Sequence, residues 1–457
     1  MDNNNKIIGI IACFLIVVIM TGCKNFLGLK SDSKLLVPKS LNDIQGILDD
    51  AGQMNIGKTP SFGEASADDI YIPTSNLNSY SEVARDIYSW KKVDYRYPND
   101  WSNAYLPIFN ANFCIERLDE VARDEGNAKA WDNAKGSALF FRSFYFFLLT
   151  MQFGQGYNTS TSNSDLGVML RMTSDFNIKS VRSPVSECLE RAIADATEAA
   201  SLLPEIPISA VRPSKAAAYA QLSRIYLYMR NYAAALSYSD KCLKIKGDLM
   251  DYNNDADILG LDLAVTFKKF NKETIFYAEM GTGFSLHTPS LSRIDTNLYS
   301  SYSVNDLRRR AFFKVNASFQ QFKGSYSSSA STLFSGIATD EVYLTRSECR
   351  AMDGDLEGAM EDLNFLLKKR MKNSVSYVPL IAVNKSDALR KIRFERRKEL
   401  LMRNLRWPDL KRYNMEGAEI TLERSVGATK FFLFPNSSYY ALPLPTDIIE
   451  QTGISQN

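Results

Sequence analysis

The sequence predicts an all-α, mostly helical protein in which tetratricopeptide-like helix pairs support an irregular, loop-rich half. Three observations carry this reading. Residues 215–246 read as two helices, with Tyr219, Leu222, Ser223 and Tyr226 on one face and Tyr232, Ala235, Ser239 and Cys242 on the next, around a turn at Arg230-Asn231. That is the small-and-large pattern of a tetratricopeptide repeat of about 34 residues. The pattern returns within 341–370, where Tyr343, Arg346, Ser347 and Arg350 face Leu356, Ala359, Leu363 and Leu366. Alanine at Ala235 and Ala359 lets the paired helices approach closely. Against these units stand 57–100 and 250–335, rich in aromatic residues, proline and glycine and without a helical period.

The chain opens on Lys6 and an apolar run over 7–20, ending Thr21-Gly22-Cys23. The run is shorter than the roughly 20 apolar residues a bilayer span needs. Its basic start, apolar middle and small-residue exit are those of a secretory signal. Met20-Thr21-Gly22-Cys23 resembles a bacterial lipobox, with Met where Leu is more usual. This predicts a signal over 1–22, lipid on Cys23, and a mature domain over 23–457 held at a membrane surface outside the cytoplasm.

Residues 24–38 read as a tether. Ser40, with Asp43 three residues on, caps a short helix whose face is Leu41, Ile44, Ile47 and Leu48. Helical spacing returns over 101–121 and 128–153. Ser183-Pro184 supplies a cap and first-turn proline for a helix ending before Pro204. The segments 134–153 and 184–203 fit as parts of degenerate repeats.

The hydrophobic fraction of 45% over 457 residues allows a large core. The net charge is +2, and removing 1–22 takes away one acid (Asp2) and one base (Lys6), so the mature value is the same. Near-neutrality gives no argument for nucleic acid as a partner. A single histidine, His287, excludes HExxH and any His-rich zinc site. Beyond Cys13 and Cys23, the cysteines Cys114, Cys188, Cys242 and Cys349 are scattered, lie in apolar helical patterns, and read as free buried thiols.

Several motifs dissolve in context. Residues 52–59, GQMNIGKT, match the phosphate-loop pattern, but an amphipathic helix precedes them and Pro60 follows, where a buried strand and an opening helix are required. Asp251, Asn253, Asp255, Asp257 and Asp262 have calcium-loop spacing. Ala256 occupies the glycine position and Asp262 replaces the bidentate glutamate, so a solvated Asp-rich turn is the favoured reading over a Ca²⁺ site. Asp68-Asp69 and Asp340-Glu341 are the obvious carboxylate pairs, yet adjacency in sequence does not give the spatial separation a glycosidase needs. No catalytic residue, metal or cofactor is assigned.

The aromatic-rich stretches offer flat faces with polar edges, which stack on sugar rings and peptide side chains alike. From them we take Trp90, Tyr95, Tyr97, Phe284, Tyr299 and Tyr302 as ligand-contact candidates, against the alternative that each is core.

Near the C-terminus, FERRKELL at 394–401 leads to LRWPDLKRY at 405–413. Alone, the first part reads as a charged surface helix with i,i+4 pairing. Together the two resemble the C-terminal signature of SusD/RagB-like outer-membrane nutrient-binding lipoproteins. WSNAYLPIFNAN at 101–112, RSFY at 142–145 with Gly154, 216–228, 341–351 and LPLP at 442–445 resemble further family segments in the right order. The departure is Arg403-Asn404, where a Glu-Gly-like pair is usual. The resemblance implies four tetratricopeptide-like units carrying an irregular half. It also implies an oligosaccharide ligand and a place as lid of a SusC-like TonB-dependent transporter. It makes the C-terminal signature a structural ion-pair network. A peptide ligand, or a scaffold without small ligand, are the alternatives.

Overall fold

A computed structural model describes residues 38–316 and 319–457, leaving the signal, Cys23 and most of the tether outside the described residues. Ser40–Asn457 forms one compact unit. Ten helices frame it: α1 (Leu41–Asp49), α2 (Asp100–Leu118), α3 (Ala128–Phe153), α4 (Val185–Leu202), α5 (Lys215–Tyr228), α6 (Tyr232–Ile245), α7 (Thr339–Asp353), α8 (Leu356–Lys368), α9 (Lys385–Glu399) and α10 (Arg406–Met415). Packing runs in series, α1 on α2, then α3 on α4, α5 on α6 and α7 on α8, each pair against the next, with α9 closing the end on α7 and α8. These are the four stacked helix pairs. Among the described residues no helix is long and apolar enough to cross a membrane.

Local chemistry starts and stops these helices. Ser40 and Asp43 form a reciprocal capping box at α1, and Asn99 with Ser102 does the same at α2. The start of α4 differs from expectation by one residue. Pro184 is its N-cap, in extended geometry, because Arg182–Pro184 pairs as a short strand with Leu166–Met169. The two clearest repeats share one device. Ser223 Oγ donates to Ala235 O (3.2 Å) and Ser347 Oγ donates to Ala359 O (2.7 Å), each across twelve residues. Small side chains at the crossing let a hydroxyl reach the facing backbone.

The main core lies under α2, α3 and α4, where α3 is buried along most of its length. The irregular 250–335 region carries its own core of Tyr252, Phe267, Tyr277, Phe312, Phe313, Tyr326 and Phe334. Many of its aromatics are therefore structural. The Asp-rich turn is braced internally: Asp251 Oδ1 accepts from Asn253 N, Asp255 pairs with Lys272 (2.8 Å), and Asp262 pairs with Arg310. Cys114, Cys188, Cys242 and Cys349 are free and buried.

The C-terminal signature does not lie on the surface, which corrects the reading of 394–401 taken alone. Glu395, Arg396, Lys398 and Glu399 are buried. Arg308 pairs with Asp306 (2.7 Å), Glu395 (2.6 Å) and Glu399 (2.9 Å). Arg370 joins Glu399 (2.7 Å) to Glu273 (2.8 Å). Arg396 meets Asp409 (2.8 Å), and Arg412 meets Glu348 (2.6 Å). Charges this deep persist only when paired and hydrogen-bonded. The departure at Arg403-Asn404 is accommodated: Arg403 pairs with Asp340 (2.9 Å), and Asn404 takes a left-handed φ of 61°, tolerable for asparagine where glycine is the default.

Candidate functional site

A cavity of about 490 Å³ opens where three irregular segments meet: 68–90, 295–297 and 421–425. Ile70–Tyr71 pairs antiparallel with Arg293–Ile294, and Asp295 N donates to Asp69 O (2.9 Å), which sets the first two segments side by side. Asp295 then caps the short helix Thr296–Ser300, accepting from Leu298 N (2.8 Å). The third segment is the hairpin Leu422–Val426 with Thr429–Leu433, turned at Gly427, whose φ is 59°.

The walls are anchored by the C-terminal signature. From α9, Arg397 Nε donates to Asp69 Oδ1 (2.8 Å) and Arg397 Nη2 to Asp68 O (2.8 Å). At the start of α10, Arg406 Nε donates to Asp68 Oδ1 (2.7 Å). Burial opposes the charge on Asp68, but Arg406 and Arg397 together hold its carboxyl well below the usual range. For Asp69 burial wins, with Asp68 alongside, and its pKa is raised despite Arg397. Arg424 has no carboxylate partner among the described residues. It donates to the carbonyls of Tyr88 (2.8 Å), Ala65 (2.7 Å) and Ala67 (2.7 Å), while its guanidinium lies over the Tyr88 and Trp90 rings at 4.2 and 4.8 Å. The Arg424 fork thus holds the 65–90 segment in place.

Trp90 lines this cavity, 8% exposed, in a left-handed backbone conformation with Nε1 donating to Ser66 O (3.0 Å). Around it stand half-buried Tyr71 and Asp295 and the exposed side chains Thr296, Asn297, Thr421, Glu423 and Ser425. An aromatic edge, hydroxyls, an amide and carboxylates on one small surface suit a polyhydroxylated ligand, which needs many short hydrogen bonds and a flat apolar contact.

The other candidates are placed elsewhere. Tyr302 is 1% exposed, donating to Lys398 O (2.7 Å), and Tyr95 is buried, donating to Pro443 O (2.6 Å). Both are core residues, their hydroxyls satisfied and their rings packed edge-to-face against neighbours, and neither lines the cavity. Phe284 completes a T-shaped trio with Tyr95 and Phe62. Tyr299 is half-buried, with Arg309 over its ring (4.9 Å) and edge-on to Phe313. Tyr97 is 74% exposed, on a loop where its N–H donates to Asp447 (3.0 Å). Of the six, only Trp90 lines the cavity. Tyr71 lies within the aromatic-rich 57–100 stretch and is not among the six candidates. Asn297 and the 421–425 strand carry no sequence signal of their own, because chain segments over a hundred residues apart assemble them.

A larger groove of about 960 Å³ runs between α8 and the loop 376–382, lined by Leu356, Met360, Phe365, Tyr377, Leu380 and Ile381. Polar side chains line it as well, among them Glu357, Glu361 and Lys368, and Asn364 is engaged by Tyr377 and Leu380. The carboxylate pairs do not form a catalytic dyad: Asp68-Asp69 are held by Arg397 and Arg406, Asp340 by Arg403, and Glu341 by Arg224 (2.5 Å). The buried trio Glu273, Asp340 and Glu399 is likewise engaged by Arg370 and Arg403.

The fold and cavity define a helical-repeat scaffold that presents a loop-built cleft. Two family models match the chain, one described as "Starch-binding associating with outer membrane" over residues 25–227 and one as "SusD family" over 339–449. A SusD-like protein of Formosa agariphila is 24% identical, the match covering 78% of this chain and 79% of the relative. A SusD superfamily structure from Bacteroides thetaiotaomicron aligns with a TM-score of 0.72 at 21% identity, covering 92% of this chain and 99% of that one. Surface glycan-binding protein A from Bacteroides fluxus aligns with a TM-score of 0.70 at 17% identity, with the same coverage. The chain belongs to the SusD/RagB-like family.

Proposed function

We propose that this protein is a cell-surface lipoprotein, anchored through Cys23 to the outer membrane, that binds an oligosaccharide and acts as lid partner of a SusC-like TonB-dependent transporter. The observation that carries the glycan reading is the cavity itself. It sets the Trp90 and Tyr71 rings among hydroxyl, amide and carboxylate groups, and arginines from the C-terminal signature fix its walls. The match to a model described as starch-binding, and the shared fold with a Bacteroides fluxus protein named as a surface glycan-binding protein, support it. Of the carboxylates that line the site, Asp68 is committed to Arg406 and Arg397, Asp295 caps a short helix and Glu423 pairs with Lys430, which favours binding without turnover. No nucleic acid, metal or cofactor enters this reading.

The test is a glycan array probed with the lipid-free chain, repeated with Asn297→Ala and Tyr71→Ala. Both positions retain solvent exposure, so the fold tolerates them. The reading expects binding to one glycan class, weakened by both variants. Selective binding of peptides with no glycan bound would move the assignment to the peptide alternative. Co-purification with an outer-membrane barrel from cells, lost when the barrel is deleted, tests the lid role.

A further inference from the structure

The hairpin over 422–433 has one face that breaks the rule for such elements. Its register pairs Leu422 with Leu433, Glu423 with Phe432, Arg424 with Phe431 and Ser425 with Lys430. Alternation puts Leu422, Arg424, Phe431 and Leu433 on one side, and these are buried or half-buried. The other side carries Glu423, Ser425, Lys430, Phe432 and, one step past the strand, Phe434. A solvated strand face is ordinarily polar. Here Phe432 and Phe434 stand 47% and 63% exposed, a stacked pair with ring centroids 6.3 Å apart and planes within 24°, forming an exposed apolar patch.

That surface is continuous with the cavity. Glu423 and Ser425 line the cavity and share the outward face with the two phenylalanines, and Glu423 lies directly across the ladder from Phe432. Directly opposed side chains have Cβ atoms about 5 Å apart. Glu423 also pairs with Lys430 (2.7 Å), so the rim between cavity and rings carries no net charge. A neutral chain leaving the cavity along this face meets the rings next.

We propose that Phe432 and Phe434 form a second subsite, an aromatic platform that stacks on the apolar face of a neutral sugar residue further along the chain held in the cavity. The occupant is one oligosaccharide long enough to reach both places. This rests on the cavity binding a glycan.

The experiment uses the lipid-free chain and the variant F432A/F434A, with folding checked by circular dichroism; the exposed rings make that variant safe for the fold. Calorimetry compares malto-, cello- and xylo-oligosaccharides from disaccharide to heptasaccharide. The expected result is that affinity rises with length in the parent and that the variant loses roughly tenfold for long chains, the scale of one aromatic stacking interaction, with little change for the shortest binder. Unchanged affinity at every length in the variant overturns the platform. So does a variant that binds all chains normally but no longer co-purifies with the barrel, which assigns the face to a protein partner. Binding removed by Tyr71→Ala but untouched by F432A/F434A overturns the platform alone. No binding by the parent to these ladders or to any glycan on the array overturns the cavity reading and the platform with it.

Discussion

Arg370 and Glu399 meet at 2.7 Å with both side chains fully buried, and Arg370 continues to Glu273 at 2.8 Å. The pair ties the C-terminal signature helix to the loop after α8 and to the core of the irregular half. Arg370 also donates to Met250 O (2.6 Å) and lies over the Tyr252 ring (4.1 Å). Removing one member leaves an uncompensated buried charge, which costs about 3–5 kcal/mol. Arg370→Met should therefore lower the urea midpoint sharply without changing the baseline helix signal of the folded state. A loss under about 1 kcal/mol, the scale of an exposed pair, would show that the network is dispensable.

Two carboxyls give opposite pH dependences. Burial opposes the charge on Glu348, but Arg412 and Arg393 bring its pKa down to about 2 from 4.5. Its contribution to stability is complete above about pH 5 and is lost as pH falls toward 2. Glu64 is pushed up to about 8, first by burial and then by Asp69. The folded state there holds a proton that the unfolded chain releases above about pH 4.5, so stability from this group falls as pH rises from about 5 to 8. Glu64→Gln keeps the shape and removes the titration. Urea midpoints of variant and parent should diverge in the variant's favour across that window; parallel curves would contradict the assignment.

Lys411 is buried without a carboxylate among the described residues, its Nζ donating to Met151 O and Gly154 O (2.5 and 2.7 Å) at the C-terminal end of α3. Burial pushes its pKa well below the usual lysine value, and its N–H groups satisfy carbonyls left orphaned at the helix end. Lys411→Met should cost about 1–3 kcal/mol, read by thermal or chemical denaturation. An unchanged midpoint would mean that water replaces the Lys411 amine freely.

Helix pairs were legible because their signal is local. The 3.6-residue period and the small residues Ala235 and Ala359 sit within one repeat, and Ser223 and Ser347 occupy equivalent places in both. The signature's structural role followed from resemblance, whereas its charge pattern alone pointed to a surface helix; burial by Asp306, Glu273 and Asp340 comes from segments tens of residues away or more. The cavity was least legible. Aromatic content flagged Trp90 but equally flagged Tyr95 and Tyr302, and nothing local distinguishes a ring enclosed by its own loop from one at a cleft. The hairpin over 422–433 is illegible in the sequence because its exposed phenylalanine face disguises the alternation.

Acylation at Cys23 is the next expectation. Expressed in a bacterium with a lipoprotein pathway, the parent should incorporate radiolabelled palmitate and fractionate with the outer membrane. Cys23→Ala should incorporate none and be released from the membrane fraction. Label in the Cys23→Ala chain would place the anchor elsewhere.

The central claim is that the cleft around Trp90 holds a glycan. Its most direct test is isothermal titration of the lipid-free chain with the best oligosaccharide from the array, alongside Asn297→Ala and Tyr71→Ala with matched circular dichroism. The account predicts saturable one-to-one binding in the parent, weakened at least about tenfold in each variant. Saturable binding of equal strength in all three proteins would contradict it.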